Sequence, residues 1–194
     1  ASPGDVAVLG RAAANGLLDG GVLPVLKHIP GHGRTDLDSH FDLPRVDTEL
    51  DELRETDFAP FRALNDLPMG MTAHVVYSDI DEAPATLSPD TMALVRDDIG
   101  FDGLIMTDDI GMLALSGAVA QIANGALAAG CDVILHCNAP LADRIACANA
   151  AGQMTDAAQT RAEAALTARR TPDDIDIAAL TAELETLLSG RPYG

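Results

Sequence analysis

The sequence predicts a parallel α/β fold of about four strand–helix units. Four short apolar runs, Val22–Leu26, Met69–Ala73, Gly103–Met106 and Asp132–Leu135, lack polar/apolar alternation, as strands covered on both faces do. Helical patterns lie between the runs, and such alternation implies a parallel sheet with right-handed crossovers. Each run also leads into ionisable or amide side chains: Lys27-His28, His74, Thr107-Asp108-Asp109 and His136-Cys137-Asn138. In parallel α/β proteins the rim at the C-terminal ends of the strands is where ligands bind.

Taken in order, Ser2-Pro3 supplies an N-cap and a first-turn proline for a helix running through Leu9 and Leu17 and stopped by Gly20-Gly21. A strand over 22–26 follows. Pro30, Gly31 and Gly33 forbid a helix in 27–44, which reads as an ordered loop leaving that strand. A helical pattern covers 48–64, and the second strand covers 69–73. Ser88-Pro89 opens the next helix, Met92 to Val95 supply its apolar face, and Gly100 ends it. The third strand (103–106), a helix over 116–129 and the fourth strand (132–135) complete the alternation. Residues 139–152, 155–170 and 174–188 are Ala-rich and amphipathic, and residues 190–194 form a tail. There is no internal repeat or linker, so residues 1–194 are expected to form a single domain.

Composition narrows the function. The chain has 194 residues, a net charge of −18, 47% hydrophobic and 3% aromatic residues, and no Trp. Such a charge repels nucleic acid, and the scarcity of aromatics removes base-stacking platforms. No run approaches the roughly 20 apolar residues of a membrane helix. Three cysteines cannot close a disulfide framework and imply reduced thiols, hence a cytoplasmic setting. Ala1 to Asp5 show no basic segment followed by an apolar one, so no secretion signal is expected. Lys27 is the only lysine among mostly Arg cations, and it falls at a strand end.

Residues 27–44 concentrate the chemistry: His28, His32 and His40 with Asp36, Asp38 and Asp42. His28 and His32 have an i, i+4 spacing, but that spacing presents one zinc-binding face only on a helix, which the loop's Pro and Gly exclude. In Asp38-Ser39-His40 the carboxylate can accept the imidazole N–H, fix its tautomer and raise its basicity. An alternative set, His28, His74, His136 and Asp108, would suit a metal-dependent barrel hydrolase. A third possibility is a truncated sugar-binding paralogue without strong catalysis. Roles for Asp109, His32, His74 and His136 stay open at this level: a cap, a loop-bracing hydrogen bonder and two interior residues.

Several motifs together resemble one family. Lys27-His28-Ile29-Pro30-Gly31-His32-Gly33 followed by Asp38-Ser39-His40 resembles the signature of the β-N-acetylglucosaminidases of glycoside hydrolase family 3. Leu94-Val95-Arg96, with Gly103 through Asp108, resembles the family's nucleophile region. Met71 to His74, Pro84 to Ser88 and Ala129 to Asp132 match in the same order. The resemblance spans about residues 5–140. It implies that Asp108 is the nucleophile, that His40 is the acid/base paired with Asp38, and that Lys27 and His28 bind sugar hydroxyls.

The resemblance further implies a retaining β-N-acetylhexosaminidase of peptidoglycan recycling, acting on muropeptides such as N-acetylglucosaminyl-anhydro-muropeptide and needing neither cofactor nor metal. It also implies that this α/β chain is the C-terminal half of a (βα)8 TIM-type barrel followed by C-terminal helices. An N-terminal half-barrel or a partner chain would then be needed to complete the site.

Overall fold

A computed structural model of the chain describes residues 1–35, 39 and 42–189. The two proposed dyad residues, Asp38 and His40, and the expected tail over 190–194 lie outside the described residues.

Ser2 caps α1 (Pro3–Asp19) in a reciprocal capping box with Asp5, as its Ser-Pro start predicts. The helix ends in a Schellman turn: Gly21 has φ +75°, its N–H bonds to the Leu18 carbonyl, and the Val22 N–H bonds to that of Leu17. This turn corrects the first strand. Val22 belongs to the helix end, and Pro24 has no N–H to give a ladder. β1 therefore spans Val25–Ile29, with Lys27 and His28 inside it rather than in the loop beyond. The Lys27–His28 and Ile29–Pro30 peptide bonds are cis.

The pattern over 48–64 splits into α2 (Leu50–Glu55) and α3 (Ala59–Ala63). Thr56 breaks it, its hydroxyl donating back to the Glu52 carbonyl, and Pro60 fits only the first turn of a new helix. The remaining units follow as expected: β3 (Met69–Thr72), α4 (Pro89–Asp97), β5 (Leu104–Asp109), α5 (Val119–Ala129) and β6 (Val133–Leu135). Ser88 caps α4 by accepting the Thr91 N–H. Helices α6 (Leu141–Ala151), α7 (Asp156–Thr167) and α8 (Ile177–Leu188) close the described chain. A two-residue parallel pair, β2 (Arg45–Val46) with β4 (Val76–Tyr77), clips the end of the 27–44 segment to the chain beyond β3.

The main sheet is parallel throughout and ordered β1-β3-β5-β6, so each strand lies beside the next main strand in the chain. Its register defines two faces. Leu26, Gly70 and Ile105 align across one, and Leu26 and Ile105 pack into the main core with Phe58, Met92, Val95 and Phe101. Lys27, Met71, Met106 and Val133 align across the other, where Met106 and Val133 are only half-buried and Lys27 is exposed. The ends of the sheet opposite the strand C-termini are held by Asp132. Its carboxylate accepts from Arg96 (2.9 Å), Arg161 (3.0 Å) and the Ile105 N–H (2.9 Å).

Gly103 precedes β5 where a Cβ would lie 2.7 Å from the Phe101 ring and 2.8 Å from the Leu67 and Pro68 carbonyls. Overpacking at such a site typically costs about 1–3 kcal/mol. Gly103→Ala is expected to lower the unfolding midpoint while leaving far-ultraviolet circular dichroism unchanged; a midpoint equal to the parent's would contradict this packing.

Candidate active site

Three strands bring their C-terminal ends together on one rim. β5 contributes Asp108 and Asp109, β1 contributes Lys27 and His28, and His74 follows β3. Asp108 lies one residue before the C-terminal end of β5, in the stretch where the register against β6 shifts between Met106 and Asp109. Its Oδ2 is 3.4 Å from His28 Nε2, and its Oδ1 accepts the Asp109 N–H at 2.8 Å. Burial lowers the His28 pKa despite the opposing attraction of Asp108. The His28 imidazole therefore favours its neutral form near neutral pH.

Asp109 turns the other way and works as a tie. Its Oδ1 accepts the N–H groups of Gly111 (2.9 Å) and Cys137 (3.0 Å), joining β5 to the segment after β6. Burial opposes ionisation of Asp109, but those two N–H groups and His136 outweigh it and hold the carboxyl below its ordinary value. The turn at Gly111 matches the capping role open to Asp109 from sequence. The bond to Cys137 had no local signal.

His74 is fully buried. Its Nδ1 lies 2.7 Å from Thr86 Oγ1 and its Nε2 lies 3.0 Å from the Asp109 carbonyl oxygen. Thr86 is also 2.8 Å from Thr72 Oγ1. The interior role open to His74 from sequence thus holds, with a connection to β5 that sequence could not supply. With both nitrogens engaged, His74 is no metal ligand, and no metal-holding group of three or more His, Cys, Asp or Glu occurs among the described residues. The alternative set of His28, His74, His136 and Asp108 is therefore not assembled as a metal centre. His136 has no hydrogen-bond partner among the described residues, and its Nδ1 is 3.5 Å from Asp109 Oδ1.

His32 braces the loop, as one reading allowed. Its Nδ1 lies 2.7 Å from Thr35 Oγ1, its Nε2 lies 3.4 Å from Ser39 Oγ, and its ring meets His28 edge-on with centroids 5.7 Å apart. Arg34 anchors the same segment to Asp57 at 2.6 Å and Glu52 at 2.8 Å, while the buried Tyr77 hydroxyl donates to the Gly31 carbonyl. The rim thiol Cys137 is raised, by desolvation first and then by the neighbouring Asp109, so it stays protonated.

The model of the glycosyl hydrolase family 3 N-terminal domain matches residues 1–168. The chain belongs to glycosyl hydrolase family 3. A β-hexosaminidase of Neisseria gonorrhoeae (strain NCCP11945) is 43% identical over 144 residues, which is 72% of this chain and 40% of that protein. One from Alkalilimnicola ehrlichii is 41% identical over 143 residues, 71% of this chain and 41% of the relative. The chain therefore spans about 40% of the length of these curated relatives. Among solved structures, native NagZ from Neisseria gonorrhoeae superposes with a TM-score of 0.74 at 34% identity, covering 96% of this chain and 53% of that one. A family 3 β-N-acetylglucosaminidase from Paenibacillus sp. str. FPU-7 gives a TM-score of 0.77 at 31% identity, covering 88% of this chain and 36% of that one. The family motifs were thus readable in the sequence. No described helix is long and apolar enough to cross a membrane.

Burial lowers the pKa of both His28 and His74 from the ordinary 6.5. The unfolded chain then binds more protons than the folded one on the acid side of that value, so stability is fully present above 6.5 and is lost as pH falls through the folded pKa values. The unfolding midpoint is expected to fall on acidification below 6.5 and to fall less steeply in His74→Gln. A midpoint independent of pH between about 7.5 and 5.5 would contradict the neutral, buried imidazoles.

Proposed function

We propose that the protein carrying this chain is a retaining β-N-acetylhexosaminidase that releases terminal, non-reducing β-linked N-acetylglucosamine. Its substrates are muropeptide fragments such as N-acetylglucosaminyl-1,6-anhydro-N-acetylmuramic acid, placing it in cytoplasmic peptidoglycan recycling. Kinship with β-hexosaminidases supports the reaction class. The Asp108 carboxylate carries the reading: it stands at the C-terminal end of β5, with one oxygen held by a backbone N–H and the other turned toward His28.

In the first step Asp108 attacks the anomeric carbon. The bond from that carbon to the leaving oxygen breaks, and the oxygen takes a proton from His40. The transition state is oxocarbenium-like and yields a glycosyl-enzyme. In the second step His40 takes a proton from water, which attacks the same carbon and releases Asp108. Asp38 orients the His40 ring. An imidazole suits both transfers because its pKa lies near working pH, and in its neutral form it avoids the repulsion that Asp108 would exert on a second ionised carboxylate. Lys27 and the neutral His28 bind the sugar hydroxyls. No cofactor takes part.

The same reading makes residues 1–194 the C-terminal half of an eight-stranded barrel domain. Strand order following chain order, the half-buried Met106 and Val133 on one sheet face, and outer edges of β1 and β6 without a strand partner among the described residues all support it. A groove of about 810 Å³ along β1, bordered by Val6 of α1 and by Lys27, His28 and Phe61, is room for a neighbouring element. An N-terminal half, on the same polypeptide or on a partner chain, would complete the rim.

The test joins this chain to a family-like N-terminal half. Asp108→Ala is expected to abolish turnover, and a 2-fluoro sugar is expected to label the peptide containing Asp108. Labelling of Asp109 instead would overturn the assignment. His40→Ala should cost about 10²–10⁴ with poor leaving groups and far less with activated aryl glycosides. Equal losses on both would remove its acid role. The 194-residue chain alone should turn over at most weakly, and full activity without the other half would refute the half-barrel.

A further inference from the structure

His74 is a buried imidazole that the proposed reaction does not consume. We propose that it is a positioning residue for Asp108, acting through the backbone of Asp109, with its tautomer set by Thr72 and Thr86. The inference rests on the reading of Asp108 as nucleophile.

One arrangement of protons gives both ring nitrogens of His74 a partner at neutral pH. The Asp109 carbonyl oxygen, 3.0 Å from His74 Nε2, can only accept, so Nε2 carries the hydrogen. Burial keeps the ring neutral, so Nδ1 offers a lone pair and needs a donor. Thr86 Oγ1, at 2.7 Å, is that donor, sharing its one hydrogen between Nδ1 and the Ala73 carbonyl oxygen at 3.1 Å. Its own oxygen then accepts from the Thr72 hydroxyl at 2.8 Å. Through the ring the hydrogens run from Thr72 to Thr86 to His74 to Asp109, with a side branch from Thr86 to the Ala73 carbonyl. Thr72, His74 and Thr86 are at most 1% exposed, so water does not compete.

The chain ends where the chemistry begins. The peptide linking Asp109 to Ile110 is gripped from both sides: its carbonyl accepts from His74, and the Ile110 N–H donates to the Leu135 carbonyl at 3.0 Å. The preceding peptide, joined to it at the Asp109 Cα, carries the Asp109 N–H that donates to Asp108 Oδ1 at 2.8 Å, so His74 restrains that N–H from one residue away. One carboxylate oxygen is thereby parked and the other is left to face the rim. An attacking carboxylate depends steeply on such placement.

Phe fills the place of His74 without either nitrogen, whereas Gln keeps a donor near the Nε2 position. In the chain completed by a family-like N-terminal half, His74→Phe should slow 2-fluoro sugar labelling of Asp108 by about tenfold or more, with little change in the sugar's affinity. Gln should restore most of the rate. Thr86→Val, which removes the donor to Nδ1, should slow labelling in the same sense. Each variant's unfolding midpoint is measured alongside, and labelling at the parent rate in a folded Phe variant overturns the proposal. Label on a residue other than Asp108 in the parent protein instead removes the nucleophile reading. Nitrogen-15 spectra of the histidine-labelled chain test the proton order without any activity. They should show His74 protonated at Nε2 and bare at Nδ1, and the opposite tautomer refutes it.

Discussion

Parallel strands laid side by side in chain order impose one constraint on everything else here: all their C-terminal ends emerge at a single rim. Residues separated by 80 positions, His28 and Asp108, meet at 3.4 Å because β1 and β5 both flank β3. No long-range motif is needed to bring them together. The ladder does it, provided that each strand starts at the right residue, because a slip of one position sends every side chain to the opposite face. Register is secured at the far ends by Asp132, which binds Arg96, Arg161 and the first turn of the β5 ladder. An anion held by two cations and a backbone N–H is costly to leave half-satisfied, so this contact specifies alignment as much as it stabilises.

Near the rim, backbone groups share the work with side chains. Asp109 links four residues through three groups: its N–H to Asp108, its carbonyl to His74, and its Oδ1 to the N–H groups of both Gly111 and Cys137. Of two adjacent aspartates, one is left facing the rim and the other is spent on architecture. The division falls where the β5 register shifts, between Met106 and Asp109, and such irregularities re-aim side chains at a strand end.

The strands were legible because buried parallel strands read as short unbroken apolar runs, and Asp108, Lys27 and His28 were legible because they sit at or near the ends of those runs. Val22 was misread for the same reason. An apolar residue after Gly-Gly serves a Schellman turn as well as it serves a strand, and apolarity does not separate the two. Pro60 did carry a warning that 48–64 is two helices, because a proline belongs in a first turn. The clip between β2 and β4 is two residues long on each side and leaves no periodicity to detect. Thr72 and Thr86 were invisible as partners of His74. They are ordinary residues 14 positions apart, and only the fold makes them one hydrogen-bonded chain.

The Asp132 cluster and the Asp108 rim occupy opposite ends of the same strands, with the length of β5 between them. This separation divides selection into two independent accounts. Substitutions around Arg96, Arg161 and Asp132 change how firmly the sheet holds together without touching the rim, and substitutions around Lys27, His28 and Asp108 change the rim without loosening the sheet's anchor. Such a scaffold lets a lineage remodel its rim while keeping its thermal tolerance, or adapt to heat while keeping its rim.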